Sequence, residues 1–147
     1  MMRVWLAPIL LLVSGGAVAA KLIADGSTLG GPLFLLAFVL LAVLNSPLVF
    51  PRSITAAEAH RRSAADGRPI VFWRPGCVYC LRLRYAMRHR ARRLHWVDIW
   101  RDPEAAAEVR AANDGDETVP TVVVAGTPHT NPPPSWLAAQ LTRSSPN

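Results

Sequence analysis

The chain has 147 residues, 51% of them hydrophobic, and a formal net charge of +6. That length allows one ordinary domain with something attached. The only two cysteines share one motif, which excludes a structural disulfide framework. A zinc site would need further ligands at matching spacing, and His60, His89, His95 and His129 are scattered singly.

Residues 1–50 contain only Arg3, Lys21 and Asp25 as charged side chains. Within them, residues 4–20 form an apolar stretch interrupted by Pro8, Ser14, Gly15 and Gly16. Residues 29–50 form a longer one containing Pro32, Asn45, Ser46 and Pro47. About 20 apolar residues cross a bilayer as a helix, so the second stretch qualifies and the first is marginal. Residues 21–28 connect them through the turn pair Asp25-Gly26, and the pattern predicts a transmembrane helical hairpin. A cleaved signal peptide is the competing reading of the first stretch. It would have Arg3 as basic start and Ala17-Val18-Ala19 as cleavage site. The second stretch would anchor the chain either way. Arg52, Arg61, Arg62 and Arg68 follow it, against Lys21 alone in the loop. The positive-inside tendency therefore predicts a multi-pass protein of the cell membrane with its C-terminal domain in the cytoplasm.

Residues 51–68 read as a linker and short helix. Thr55-Ala56-Ala57-Glu58 fits a capping box, and Asp66-Gly67 stops the alanine-rich run. Residues 69–73 (Pro-Ile-Val-Phe-Trp) predict a buried strand. Residues 77–93 predict a helix, apolar at Cys80, Leu83 and Met87, with Leu81 and Tyr85 widening the face. Residues 94–100 predict a second strand. Asp102 and Pro103 then start a helix as cap and first residue, and Asn113-Asp114-Gly115 ends it. Residues 121–125 predict a third strand and residues 128–130 a weak fourth. Pro132-Pro133-Pro134 breaks the chain before a last helix capped by Ser135. Trp96, Trp100 and Trp136 are expected to pack the sheet. Such alternation of strands and helices predicts a sheet covered by helices. Pro120 immediately precedes a strand that must be central; alone, Val119-Pro120 reads as an ordinary turn, but beside a Cys-x-x-Cys in this topology a cis peptide is the favoured solution.

Cys77-Val78-Tyr79-Cys80 sits at the first strand-to-helix junction. At that place free N–H groups and the helix dipole favour a thiolate on the first sulfur, with the second one turn away. Arg74 stands three residues before Cys77; it either supports the thiolate or is a solvent-exposed loop arginine. Arg82, Arg84, Arg88, Arg90, Arg92 and Arg93 crowd one helix. A solvated basic face explains them better than contact with anionic headgroups, and nothing supports nucleic-acid binding.

Cys77-Val78-Tyr79-Cys80-Leu81-Arg82-Leu83, Val97-Asp98-Ile99, Ala105-Ala106-Ala107-Glu108, Thr118-Val119-Pro120-Thr121 and Thr130-Asn131-Pro132 occur in an order and at intervals that resemble the glutaredoxin family, most of all the mycoredoxins. The resemblance covers residues 69–142, and the domain is taken as 69–147. It implies a thioredoxin-like α/β fold, a mixed sheet with flanking helices, here preceded by two transmembrane helices. It also implies a thiol–disulfide oxidoreductase that reduces mixed disulfides of proteins with a low-molecular-weight thiol. Cys77 would be the nucleophile and Cys80 the resolving thiol, while Arg74, Tyr79, Thr118, Val119, Pro120 and Asn131 would contact the substrate. No cofactor is expected to stay bound. Mycothiol, or glutathione, would be co-substrate, and mycothiol is favoured because Thr130-Asn131-Pro132 stands where glutaredoxins carry a glycine pair. Val78 departs from the proline or glycine usual between the cysteines. Three alternatives stay open: a dithiol protein-disulfide reductase, an iron–sulfur binding module, and an adaptor whose hairpin docks a membrane partner.

Overall fold

The computed structural model describes residues 3–46 and 50–143. The end of the second apolar stretch, at residues 47–49, lies outside them. The chain divides into two compact units, Met1–Val49 and Phe50–Asn147.

The first unit is a pair of helices, α1 (Arg3–Ala24) and α2 (Gly30–Leu44). The expected order of lengths is reversed. Within α1, Trp5–Ala24 is 20 residues long with mean hydropathy 2.0, sufficient by length and composition to cross a membrane. The described part of the second stretch forms a helix of only 15 residues. That is about 22 Å of helix, short of the roughly 30 Å hydrocarbon core. Two local causes explain the shift. Lys21 pairs with Asp25 at 2.9 Å, one turn on, and carries α1 through what read as loop. Asn45 ends α2, its side-chain amide donating to the Leu41 carbonyl at 2.8 Å, in a sequence that continues Ser46-Pro47. The two helices pack closely through small residues. A Cβ on Gly15 would stand 2.5 Å from Phe38 Cβ, and one on Gly31 would stand 2.4 Å from Ile23 Cγ1. Close packing through small residues is how helices associate where water supplies no drive.

The second unit runs α3 (Ala56–Asp66), β1 (Ile70–Trp73), α4 (Val78–Met87), β2 (His95–Asp98), α5 (Pro103–Ala112), β3 (Thr121–Val124), β4 (Thr127–Thr130) and α6 (Pro134–Arg143). The sheet order is β2-β1-β3-β4. β1 and β2 are parallel, while β1–β3 and β3–β4 are antiparallel. Every residue of β1 and β2 is buried, so helices must cover both faces. This is a thioredoxin-like fold.

Several local expectations change. Thr55 caps α3 by accepting the Glu58 N–H at 3.3 Å, but Glu58 does not reach back. Its carboxylate is taken by Arg61 and Arg62 instead. Residues 53–54 are more than linker: the Ile54 N–H donates to the Trp96 carbonyl (3.1 Å), and Ser53 Oγ accepts the Asp98 N–H (2.8 Å). The helix predicted to reach residue 93 stops at Met87. Arg88 takes φ +45° and a 3-10 turn, Arg88–Arg93, completes the segment. The break turns Ala91 inward, where its carbonyl accepts the buried Trp96 indole N–H at 2.8 Å. Trp100 is 48% exposed rather than packed, because Asp98 ends β2 by accepting the Trp100 N–H at 3.0 Å. Pro134, not Ser135, lies at the start of α6, and Ser135 sits inside its first turn.

Asp102 joins two helices. Its Oδ1 caps α5, accepting from Glu104 and Ala105, and its Oδ2 accepts the Ala56 N–H of α3 at 2.7 Å. Asp102→Ala removes a cap and orphans a buried N–H, a loss of about 2–4 kcal/mol. Asp102→Asn, which keeps one acceptor oxygen, should lose less. Denaturant unfolding of the full chain in neutral detergent measures both; equal losses would show that the double role is not what Asp102 contributes.

Candidate active site

The site begins where β1 ends. β1 is buried through Trp73, and the turn through Pro75 and Gly76 (φ +75°) delivers Cys77 as the N-cap of α4. A capping position is normally filled by an oxygen that accepts a first-turn N–H. Here sulfur does so: Cys77 Sγ accepts the Cys80 N–H at 3.1 Å. That bond and the positive end of the helix dipole both favour the thiolate. Cys77 and Cys80 are joined as a disulfide with Cα atoms 5.2 Å apart. Their exposures differ. Cys77 is half-buried and reachable, whereas Cys80 is 0% exposed. An incoming sulfur therefore meets Cys77 first.

The Val119–Pro120 peptide is cis, and the Val119 carbonyl oxygen lies 3.4 Å from Cys77 Sγ. Of the residues singled out from sequence, Cys77, Cys80, Val119 and Pro120 thus meet. Pro120 in turn accepts the Asn131 N–H at 2.7 Å, with Asn131 in the left-handed region at φ +45°, a conformation asparagine tolerates better than most residues. Thr118 is exposed and its carbonyl accepts the Thr121 hydroxyl at 2.7 Å. Tyr79 and Asn131 both line a groove of about 230 Å³, together with Arg82, Leu83 and Pro132-Pro133-Pro134, while Cys77 itself is not part of its lining. Arg74 goes elsewhere: its guanidinium lies 5.9 Å from the centre of the Trp100 ring, a cation–π contact.

Residues 70–129 match the glutaredoxin family model. No curated protein matches the chain. The glutaredoxin match runs from the start of β1 almost to the end of β4. It supports thiol–disulfide oxidoreductase activity, the chemistry for which the half-buried, capped Cys77 and sealed Cys80 are arranged.

Some participants were not legible in sequence. Asn113 read only as a helix stop. Its amide nitrogen donates to Val109 O (2.7 Å) and to Thr121 Oγ1 (3.1 Å), and its side-chain oxygen accepts the Thr130 hydroxyl. One side chain thereby ties the end of α5 to β3, which the cis-proline enters, and to β4. Arg82 was read as part of a basic face, yet it lines the groove beside Tyr79. No spacing rule marks either residue, because their partners come from other elements.

Asp98 pairs with Trp73 in register, one residue from the start of the active-site turn. Burial pushes its carboxyl above the ordinary carboxylate range, against the opposing pull of the Trp100 N–H and the Arg101 charge. Its Oδ2 is buried with no partner among the described residues. Because the folded value is raised, folding favours the protonated form. The associated stability is present at low pH and is lost as pH rises from the ordinary carboxylate value through the folded one. Asp98→Asn should therefore stabilise the protein at neutral pH by about 1 kcal/mol and flatten the pH dependence above the normal carboxylate range. Thermal melts across that range test it, and a destabilised variant at neutral pH would show the carboxylate to be usefully paired.

Proposed function

We propose that the chain is a membrane-anchored thiol–disulfide oxidoreductase that reduces mixed disulfides between proteins and a low-molecular-weight thiol, with mycothiol favoured. The observation that carries the reading is an accessible, N–H-capped Cys77 against the cis Val119–Pro120 peptide; a groove of about 230 Å³ is lined by Tyr79, two residues on from Cys77, and by Asn131, whose N–H binds the Pro120 carbonyl. The groove is sized for the non-reacting part of a small thiol and not for a folded protein.

In the first step the Cys77 thiolate attacks the small-thiol sulfur of the mixed disulfide. The protein leaves as its thiolate and the small thiol becomes bonded to Cys77. A second molecule of the small thiol then attacks that sulfur, releasing the small-thiol disulfide and regenerating the Cys77 thiolate. The steps sum to one thiol–disulfide exchange: a single free small thiol is consumed per turnover, its sulfur leaves bonded to the one already held in the mixed disulfide, and the substrate protein takes the proton and is released as its thiol. Arg82 offers a positive charge at the groove wall, and Tyr79 and Asn131 offer a ring and an amide. A polar thiol rich in hydrogen-bonding groups suits that lining. Mycothiol is preferred over glutathione on the Thr130-Asn131-Pro132 sequence.

A dithiol route has its own support. Cys80 lies directly behind Cys77, close enough that the two form a disulfide. In that route Cys80 displaces the small thiol from Cys77, and the resulting disulfide is reduced in a separate step. Anchoring rests on the 20-residue apolar span of α1 and its close packing with α2. A cytoplasmic placement of the catalytic unit rests on Arg52, Arg61, Arg62 and Arg68 following the second apolar stretch.

The test is turnover of an S-mycothiolated protein by the full chain in neutral detergent, recycled by mycothiol or by glutathione. Cys77→Ser should abolish it, a loss of roughly a thousandfold or more as expected for a removed nucleophile. Cys80→Ser should keep most of it. Loss of turnover in both variants would move the assignment to the dithiol route, and equal rates with both thiols would remove the mycothiol preference. Tyr79→Ala and Asn131→Ala should raise KM for the small thiol about tenfold with little change in kcat, since each removes ground-state binding. A fall in kcat alone would place these residues outside the thiol-binding groove.

A further inference from the structure

The second unit carries another concave site, which shares no lining residue with the groove at Tyr79 and Asn131. A pocket of about 240 Å³ is lined by Arg52, Arg62, Arg68 and Arg92, with Pro51, Ile54, Leu94, His95 and Trp96 forming its walls and floor. These arginines come from three places: the segment before α3, α3 and the turn after it, and the 3-10 turn after α4. No sequence run announces them as a group. Of the arginine-rich stretch at residues 82–93, only Arg92 reaches this pocket.

Two of the four are partly compensated. Arg62 Nε binds Glu58 at 2.6 Å, and Arg68 Nε lies 3.6 Å from Asp66. Both contacts use Nε, which leaves the outer nitrogens of each fork for another acceptor. Among the described residues, no carboxylate lies within ion-pair distance of Arg52 or Arg92. The floor is held firmly. His95 is buried and its Nε2 sits 3.0 Å from Asp66, while the Trp96 indole holds the Ala91 carbonyl immediately before Arg92. Burial pushes Asp66 up, but the Arg68 N–H, the His95 contact and the Arg68 charge outweigh it and hold the carboxyl below its usual value. It therefore stays ionised and keeps the floor in place.

We propose that this pocket binds a phosphate group. Several guanidinium forks around one small concavity call for an anion with more than two acceptor oxygens; phosphate has them and a carboxylate does not. The group has two available sources, an anionic lipid headgroup or a free phosphate compound. The lipid source rests on the membrane reading of residues 1–50, from which Arg52 is separated by a single residue, and basic clusters at such positions bind anionic lipid. The phosphate chemistry itself is independent of that reading and of the thiol reaction.

The experiment uses the full chain in neutral detergent at about 0.15 M salt. Dioctanoyl-phosphatidylglycerol, dioctanoyl-phosphatidylcholine and inorganic phosphate are titrated separately by calorimetry. Phosphatidylglycerol should bind, and each of Arg52→Gln and Arg92→Gln should weaken it about fivefold, with the double variant about 25-fold weaker. Both side chains are exposed, so folding should be intact, and near-ultraviolet circular dichroism checks it. The Arg52→Lys/Arg92→Lys pair, which keeps charge, should retain most of the affinity. Tight phosphatidylglycerol binding that inorganic phosphate displaces only weakly assigns the lipid source; equal binding of inorganic phosphate assigns the free one, and either supports the site. Binding that is unchanged in the double Gln variant, or equal for phosphatidylcholine, overturns it. Cys77-dependent turnover measured on the same samples should be unchanged, which separates failure here from failure of the catalytic reading.

Discussion

Everything in the second unit hangs on β1. Four residues, Ile70–Trp73, are buried on both faces and hydrogen-bonded on both edges, parallel to β2 and antiparallel to β3. Such a strand has no freedom to slip, because a shift of one residue would reverse every side chain between two packed faces. Its end is therefore a fixed point. Cys77 is four residues beyond that point and caps a helix whose Cys80, Leu83 and Met87 are buried. The nucleophile is positioned from behind by the strand and from ahead by the helix.

Opposite Cys77, the cis-Pro120 segment is held by hydrogen bonds as well as by the burial of Val119 and Pro120. Asn113 reaches Thr121 and Thr130, Thr121 closes on Thr118, and Pro120 takes the Asn131 N–H. Networks of this kind are geometrically strict, since each buried group left unpaired carries a penalty. The site thus combines a wall that apolar burial fixes with a wall that hydrogen bonds and burial fix together. On the far side of α5, Asp102 performs a comparable role by satisfying N–H groups of two helices at once.

The arginines divide by structure into groups that the linear chain runs together. Arg82 lines the groove beside Tyr79, Arg92 joins Arg52, Arg62 and Arg68 around a second pocket, and Arg74 lies against Trp100. The break at Arg88 separates the first two, turning the backbone so that Ala91 points inward and Arg92 stays exposed. The second unit thus carries two separate concave sites, one lined by Tyr79 and Asn131 and one by four arginines.

By itself, the sequence determined whatever depends on neighbours along the chain. Apolar runs marked β1 and the two N-terminal helices; Asp102-Pro103 marked the start of α5; and Cys77-Val78-Tyr79-Cys80 marked the reactive turn, because capping and strand burial act within a few residues. The cis state of Pro120 was also legible, since a proline entering a central strand beside a Cys-x-x-Cys leaves few options. Tertiary structure decided the rest. It stopped the α4 segment at Met87 for the sake of the Trp96–Ala91 bond, gave Glu58 to Arg61 and Arg62 instead of its own cap, moved Arg74 onto Trp100, and brought Asn113 to the cis-proline segment. The reason is the same in each case: these side chains are long or polar, several partners lie within reach, and only the packed arrangement of distant elements selects among them.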